Sequence, residues 1–265
     1  MIYTKEDIKN QLIEMGITPS DTVVIHRSVK AVGEGEGGPD AFIDAFCEYL
    51  SDGLFLVPTQ TWANVNREHP VYDPKITEPC IGLVPRTAYK RADGIRSLHP
   101  THSMWAHGKG AEEFVAGEEV SETPARVGGA GWRLGEAGAK ILLIGVDHGR
   151  NTYIHVADEI AELDDRLVEE PWYVTVKDYD GKIISTHPFR NHGRTGSLNF
   201  NRFEKAFIYH GAQKNGKIGD AYVRVVDAAK CRDVLLKIYS RSTENYCYLD
   251  QEIPEELWKV TSKNS

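Results

Sequence analysis

Ile141-Leu142-Leu143-Ile144-Gly145-Val146-Asp147-His148-Gly149-Arg150-Asn151-Thr152-Tyr153-Ile154-His155-Val156-Ala157-Asp158-Glu159 carries the main structural signal of the chain. Its first four residues are an apolar run closed by glycine, which predicts a short buried strand. A polar turn follows, and Asn151 and Thr152 are placed to cap an amphipathic helix over Tyr153 to Leu163. On that helix His155, Asp158 and Glu159 share one face, because residues three and four apart are neighbours. A carboxylate beside an imidazole fixes its tautomer and stabilises the imidazolium formed on proton uptake, so the pattern suits a general base with an orienting acid. The same spacing suits a surface helix with a solvated charge pair. A strand, a loop and a first helical turn are also where open α/β sheets place their sites.

Outward from this stretch the same alternation recurs. Thr4 with Asp7 predicts a capping box for a helix carrying Ile8, Leu12 and Ile13. Thr22 to His26 is a β-branched strand, a glycine-rich loop leads to a helix over Pro39 to Leu50, and Gly53 to Val57 is the next strand. Strand, helix, strand in close order predicts a parallel core with right-handed crossovers. Ala63 to Pro85 shows no period and reads as a functional or mobile loop. Ile95 to Ala106 reads as one strand interrupted by Pro100. Trp172 to Val176 and Lys182 to Thr186 flank Asp180-Gly181, a hairpin signal. A helix near Phe200 to Tyr209, a strand near Tyr222 to Val226 and a helix over Ala228 to Tyr239 follow. The expected fold class is therefore α/β, a largely parallel central sheet flanked by helices with a C-terminal α/β extension containing a hairpin. The 265 residues are read as a single domain, 1–265.

Composition narrows the function. A formal net charge of -8 argues against nucleic acid, which needs a basic surface, and suits a cationic small molecule. Cys47, Cys80, Cys231 and Cys247 form no C-x-x-C pair, so neither a disulfide framework nor a thiolate zinc cluster is expected. With no signal-peptide pattern and no apolar run near the ~18 residues of a span, a cytoplasmic protein away from the membrane is expected.

Several short motifs bear on a binding site. Gly33-x-Gly35-x-x-Gly38 matches a dinucleotide fingerprint, but Glu34 and Glu36 would repel a pyrophosphate and no acidic residue ends the next strand. As a glycine-rich turn before a helix, the segment still offers backbone donors to an anion, with Arg27, Ser28 and Lys30 nearby. Arg126-x-x-Gly129-x-Gly131 matches a GNAT pyrophosphate loop, but nothing before it reads as the required strand. His99-Pro100-Thr101-His102-Ser103, with Arg96 and Ser97, is a dense donor cluster suited to phosphate. A metal there would need His155 and Asp158 as further ligands, without a supporting motif. No G-x-S-x-G elbow is present.

Taken together, several strings resemble the aminoglycoside 3-N-acetyltransferase family. They are His26-Arg27-Ser28-Val29-Lys30-Ala31-Val32-Gly33, Val57 to Trp62, Gly82 to Pro85, Ile95 to Ser103, Leu142 to Val146, Asn151-Thr152-x-x-His155 and Gly216 to Ala221. The resemblance implies acetyl-CoA as donor, an amine as acceptor and His155 as base; the lack of a ligand motif argues for no metal, and the lack of a nucleophile motif for direct transfer. It places a glutamate at the position of Asp158, so either Asp158 or Glu159 orients the imidazole. Thr59 and Thr152 are the candidate oxyanion donors. The coenzyme is expected along His26, Arg27, Ser28, Val29, Lys30, Ala31, Val32 and Gly33, and along Arg96, Ser97, His99, Thr101, His102 and Ser103. Trp62, Tyr72 and Asp73 are expected to border the acceptor, with Asp147 adding negative charge for an aminoglycoside, and the protein to be a monomer or homodimer. Another small amine as acceptor, or a non-catalytic coenzyme binder of the same fold, fits the same strings.

Overall fold

The structure, a computed structural model, describes residues 2–27, 31–33, 35–163, 166–193, 196–242, 244, 246 and 251–259. Helix α1 (Lys5–Glu14) opens with the capping box read from the sequence: Asp7 N–H donates to the Thr4 hydroxyl and Thr4 N–H to the Asp7 carboxylate. Then come β1 (Thr22–Arg27), α2 (Gly38–Tyr49), β2 (Leu54–Pro58), β3 (Val71–Tyr72) and α3 (Leu83–Ala88). The middle holds β4 (Ile95–Arg96), β5 (Met104–Gly108), α4 (Ala111–Val115), α5 (Ala130–Glu136), β6 (Lys140–Ile144) and α6 (Ile154–Ile160). The last third is β7 (Trp172–Lys177), β8 (Ile183–Phe189), α7 (Glu204–Tyr209), β9 (Gln213–Ile218), β10 (Ala221–Asp227), α8 (Ala228–Tyr239) and α9 (Glu255–Trp258).

Seven strands form the main sheet in the order β4-β5-β2-β1-β6-β10-β9. The three central strands β2, β1 and β6 run parallel, and antiparallel strands extend the sheet on both flanks. Alternation decides the faces. Val24, Leu56, Ile141 and Leu143 point to a core closed by α5, α6, α7 and α8, whereas Val23, Ile25, Phe55 and Leu142 point to one closed by α1, α2 and α3. Central strands buried on both faces must read as unbroken apolar runs, and Ile141 to Ile144 does. The three parallel strands end on the same side, so Arg27, Pro58 and Ile144 deliver their following loops to one region. No helix among the described residues is long and apolar enough to cross a membrane.

The α/β class, the helices on both faces and the Asp180-Gly181 hairpin match expectation. Three local readings are corrected. Ala63 to Pro85 contains β3, which pairs in parallel with β7 and completes a small sheet, β3-β7-β8, over Tyr72, Val174, Val176 and Phe189. Ile95 to Ala106 is two strands paired antiparallel, Ile95 opposite Ala106, because Pro100 turns the chain rather than interrupting one strand. β9 and β10 join the central sheet beside β6, so of the expected extension only the β7-β8 hairpin stands in a sheet apart.

Candidate active site

Gly145 turns the chain out of β6 at φ +64, and a Cβ there would lie 2.1 Å from the Ala31 Cβ. A 3-10 turn over His148–Arg150 follows, capped by Asp147, whose carboxylate accepts from Gly149 N–H. Asn151 donates to His148 Nδ1 at 3.2 Å, and His148 Nε2 donates to Gln213 Oε1 at 2.7 Å, which ties the turn to β9. Neither Asn151 nor Thr152 caps α6; Tyr153 occupies that position and makes no side-chain cap. Helix α6 is buried from Ile154 to Glu159, so the solvated surface helix is excluded, and its carboxylates require partners inside the protein.

The partners separate the two candidate acids. Asp158 Oδ2 lies 3.2 Å from His155 Nδ1. Its other oxygen, Oδ1, accepts the Tyr239 hydroxyl at 2.8 Å. Glu159 has different partners: it accepts Thr123 Oγ1 at 2.6 Å and Ala125 N–H at 2.9 Å, with Arg166 Nη1 at 3.4 Å. Glu159 therefore pins the segment around Thr123 onto α6, and Asp158 is the acid that lies against the imidazole. An acceptor-only carboxylate at Nδ1 requires a hydrogen there and leaves the Nε2 lone pair of neutral His155 available.

A row of rings continues from His155. His192 stacks on it with centroids 3.6 Å apart, His102 meets His192 edge-on at 5.2 Å, and Phe200 closes the other flank at 4.9 Å. His26, Gln60, His102, Thr152 and His192 line a narrow enclosed cavity that also touches Val24 of β1, Pro58 of β2, Leu134 of α5 and Val156 of α6. Burial holds the His102 and His192 imidazoles well below the usual histidine range, and brings His26 to about 4, so all three are neutral at pH 7.

Most of the expected phosphate cluster is spent on architecture. Arg96, 2 % exposed, donates Nε to Thr59 Oγ1 and Ser103 Oγ, and Nη1 and Nη2 to the carbonyls of Pro74, Thr77 and Thr59. Ser103 donates to the Thr59 carbonyl, so the Thr59 hydroxyl gives its hydrogen to Ser103 Oγ at 2.9 Å. Thr59 is thereby removed as an oxyanion donor, leaving Thr152. Ser97 pairs with Met104 through its backbone N–H and its hydroxyl. His99 Nδ1 accepts both Thr101 and His102 N–H, and its Nε2 donates to the Thr123 carbonyl. Thr101 is wholly buried, its hydroxyl on His102 Nδ1 at 2.9 Å. Of the series only His102 reaches the cavity. No grouping of potential metal ligands among the described residues includes His99, His102, His155 or Asp158. The one that occurs, Cys47, Asp93 and His107, has its aspartate chelated by Arg91.

The glycine-rich turn is different. Val32 and Gly33 line a second cavity together with Arg27, whose guanidinium lies 3.8 Å over the Phe42 ring. Arg27 Nε is buried without a hydrogen-bond partner among the described residues, and burial lowers this group to about 10, which leaves it cationic at pH 7. Ala31 packs beneath Gly145. Ser28, Val29 and Lys30 lie outside the described residues.

On the acceptor side Trp62 is 45 % exposed. Tyr72 is corrected: it is fully buried in the small sheet and donates its hydroxyl to the Ser97 carbonyl. Asp73 is largely buried, accepts Lys75 N–H and lies 3.7 Å from Lys177 Nζ, so its charge is already matched. Asp147 is exposed, but its oxygens serve Gly149 and Asn201.

A family model described as aminoglycoside 3-N-acetyltransferase matches residues 24–240. The chain belongs to the aminoglycoside 3-N-acetyltransferase family. Aminoglycoside N(3)-acetyltransferase IV of Salmonella sp is 26 % identical over 235 residues, 88 % of this chain and 85 % of that relative. A mutant of the aminoglycoside acetyltransferase AAC(3)-IVa, solved in complex with gentamicin, matches with a TM-score of 0.77 at 24 % identity, covering 91 % of this chain and 90 % of that one. AAC-IIIb in binary complex with CoASH gives 0.77 at 24 % identity over 91 % of this chain and 97 % of that one. These two structures share the fold of this acetyltransferase-family chain. Two members of its histidine site carry no local signal in the sequence. His192 sits in a polar loop, and Tyr239 ends a helix that reads only as amphipathic; each is brought to His155 or Asp158 by tertiary packing.

Proposed function

We propose that this chain acts as an acetyl-CoA-dependent N-acetyltransferase on the 3-amino group of 2-deoxystreptamine aminoglycosides, as a single cytoplasmic domain. The observation that carries the reading is the buried His155–Asp158 pair at the end of β6, set in a row of neutral imidazoles. A protonated amine is not a nucleophile. The ammonium releases one proton to solvent, and with Nδ1–H held by Asp158, His155 Nε2 takes a second proton from the amine nitrogen as that nitrogen attacks the thioester carbon. The carbonyl oxygen gains charge, for which the Thr152 hydroxyl is the remaining candidate donor. The C–S bond breaks, the sulfur leaves with the bonding pair, and the proton on His155 returns to it. Coenzyme phosphates fit Arg27 and the glycine-rich turn, where a buried guanidinium nitrogen lacks a partner among the described residues. The names of these relatives and the CoASH and gentamicin complexes support the donor and the acceptor class.

The test is thiol release from acetyl-CoA with gentamicin- or neomycin-type acceptors and with simple amines. Release with the product acetylated at the 3-amine is expected, as is a loss of about 10²–10⁴-fold in kcat for His155→Ala with unchanged coenzyme affinity. Turnover only with other amines would overturn the acceptor; undiminished kcat in His155→Ala would overturn the base. Coenzyme binding without turnover on any amine would favour a non-catalytic binder.

A further inference from the structure

We infer that Tyr239 is a positioning residue for the acetyl transfer, acting on His155 through Asp158, so that the working unit is His155–Asp158–Tyr239. This rests on His155 being the base. Tyr239 ends α8, 81 residues beyond Asp158 in the chain, and its hydroxyl donates to Asp158 Oδ1 at 2.8 Å while Oδ2 faces His155 Nδ1. The tyrosine ring is largely buried and lies edge-on to Phe203 at 6.1 Å, so packing aims the hydroxyl. The acid is an aspartate, one methylene shorter than a glutamate, and a second anchor on its far oxygen fixes the rotation that presents Oδ2 to the imidazole.

The bond also tunes charge. A donor on a carboxylate spreads and stabilises its negative charge. Removing the donor makes Asp158 a stronger acceptor for Nδ1–H and stabilises the imidazolium, so His155 holds its proton to higher pH. Among the described residues, groups near the pair include the stacked His192, His102 beyond it, Phe200, and Glu159, which is matched by Arg166, Thr123 and Ala125. His102 and His192 are neutral, so they place no fixed charge against His155.

The experiment is the pH profile of kcat/KM for Tyr239→Phe, which keeps the ring, alone and combined with Asp158→Asn. The acid limb should rise by roughly half to one pH unit, activity should recover at alkaline pH, and the KM for acetyl-CoA should stay put. In the Asp158→Asn background Tyr239→Phe should add little further loss, because the two act as one unit. An unmoved acid limb, or an equal fold-loss in both backgrounds, would leave Tyr239 a packing residue and overturn the inference. Should Tyr239→Phe fail to fold, 3-fluorotyrosine incorporated at position 239 supplies a stronger donor and should move the limb downward; no movement overturns the inference equally. If His155→Ala loses activity while Tyr239→Phe is unchanged, only this inference falls. If His155→Ala stays active, the base assignment falls first.

Discussion

At the scale of single residues, the two arginines read as phosphate ligands have opposite fates. Arg96 is a buried cation satisfied by carbonyl and hydroxyl oxygens and flanked by the Tyr72 and Tyr89 rings. Arg27 keeps a buried Nε with no hydrogen-bond partner among the described residues, beside a glycine-rich turn. Burial of a cation costs free energy unless donors are met, so an unmet donor on a cavity marks a binding group and a fully met one marks a strut. Arg27→Gln should therefore raise the KM for acetyl-CoA by about 10- to 100-fold, the worth of a charge-assisted hydrogen bond, with little change in kcat. Arg96→Lys should instead lower stability by about 3 kcal/mol, because an ammonium cannot reproduce the planar fork, and leave the KM of the folded fraction alone. Urea titration with steady-state kinetics on both variants separates them; a KM effect at position 96 without a stability loss would reverse the assignment. Sequence alone could not make this distinction, since donors consumed by the carbonyls of Pro74 and Thr77 leave no trace in the local pattern around Arg96.

At the scale of elements, legibility followed the source of each element's stability. β1, β2, β6, α2 and α8 bury apolar stripes, and period and β-branching announce them. β9, Gln213–Ile218, buries only its two ends, so its pairing with β10 is invisible as a pattern. The two-residue strands β3 and β4 exist because a partner strand is present. The turn after β6 was readable because only glycine fits it. Gly145 combines a positive φ with a Cβ position 2.1 Å from Ala31, between the β6 exit and the glycine-rich turn. Gly145→Ala carries both a left-handed penalty of roughly 1–2 kcal/mol and an overlap that one of two loops must yield to. The expected outcome is a Tm lower by about 5 °C or more with a parallel loss of activity, since both loops lead into the candidate site. A variant with unchanged Tm would mean that the Ala31 loop shifts freely.

At the scale of the whole molecule, the imidazoles couple the candidate site to stability. The general location of the site was legible, because three parallel strands that end together define it and the Asn151-Thr152-x-x-His155 string lies just past one of them. That His99 would be a structural member was not legible, because its role depends on Thr123, 24 residues further along the chain. His99 accepts two backbone N–H groups on Nδ1 and donates from Nε2, so it must be neutral in the fold, and burial brings it to about 3. The unfolded chain takes up a proton near the ordinary histidine value of about 6.5. Between those values the unfolded state binds more protons than the native one, so stability falls as pH falls, by up to about 1.4 kcal/mol per pH unit for each such histidine. His26, His102 and His192 are lowered in the same direction and add to the slope. Urea midpoints should be flat from pH 8 to 7 and decline steadily from pH 6.5 towards 4. His99→Asn keeps an acceptor for Thr101 and His102 N–H but cannot titrate; it should be less stable than the wild type at pH 8, with a pH slope shallower by about one proton. Parallel slopes for the two proteins would show that His99 takes up no proton on unfolding in this range, and would shift the acid sensitivity to the three histidines that line the cavity.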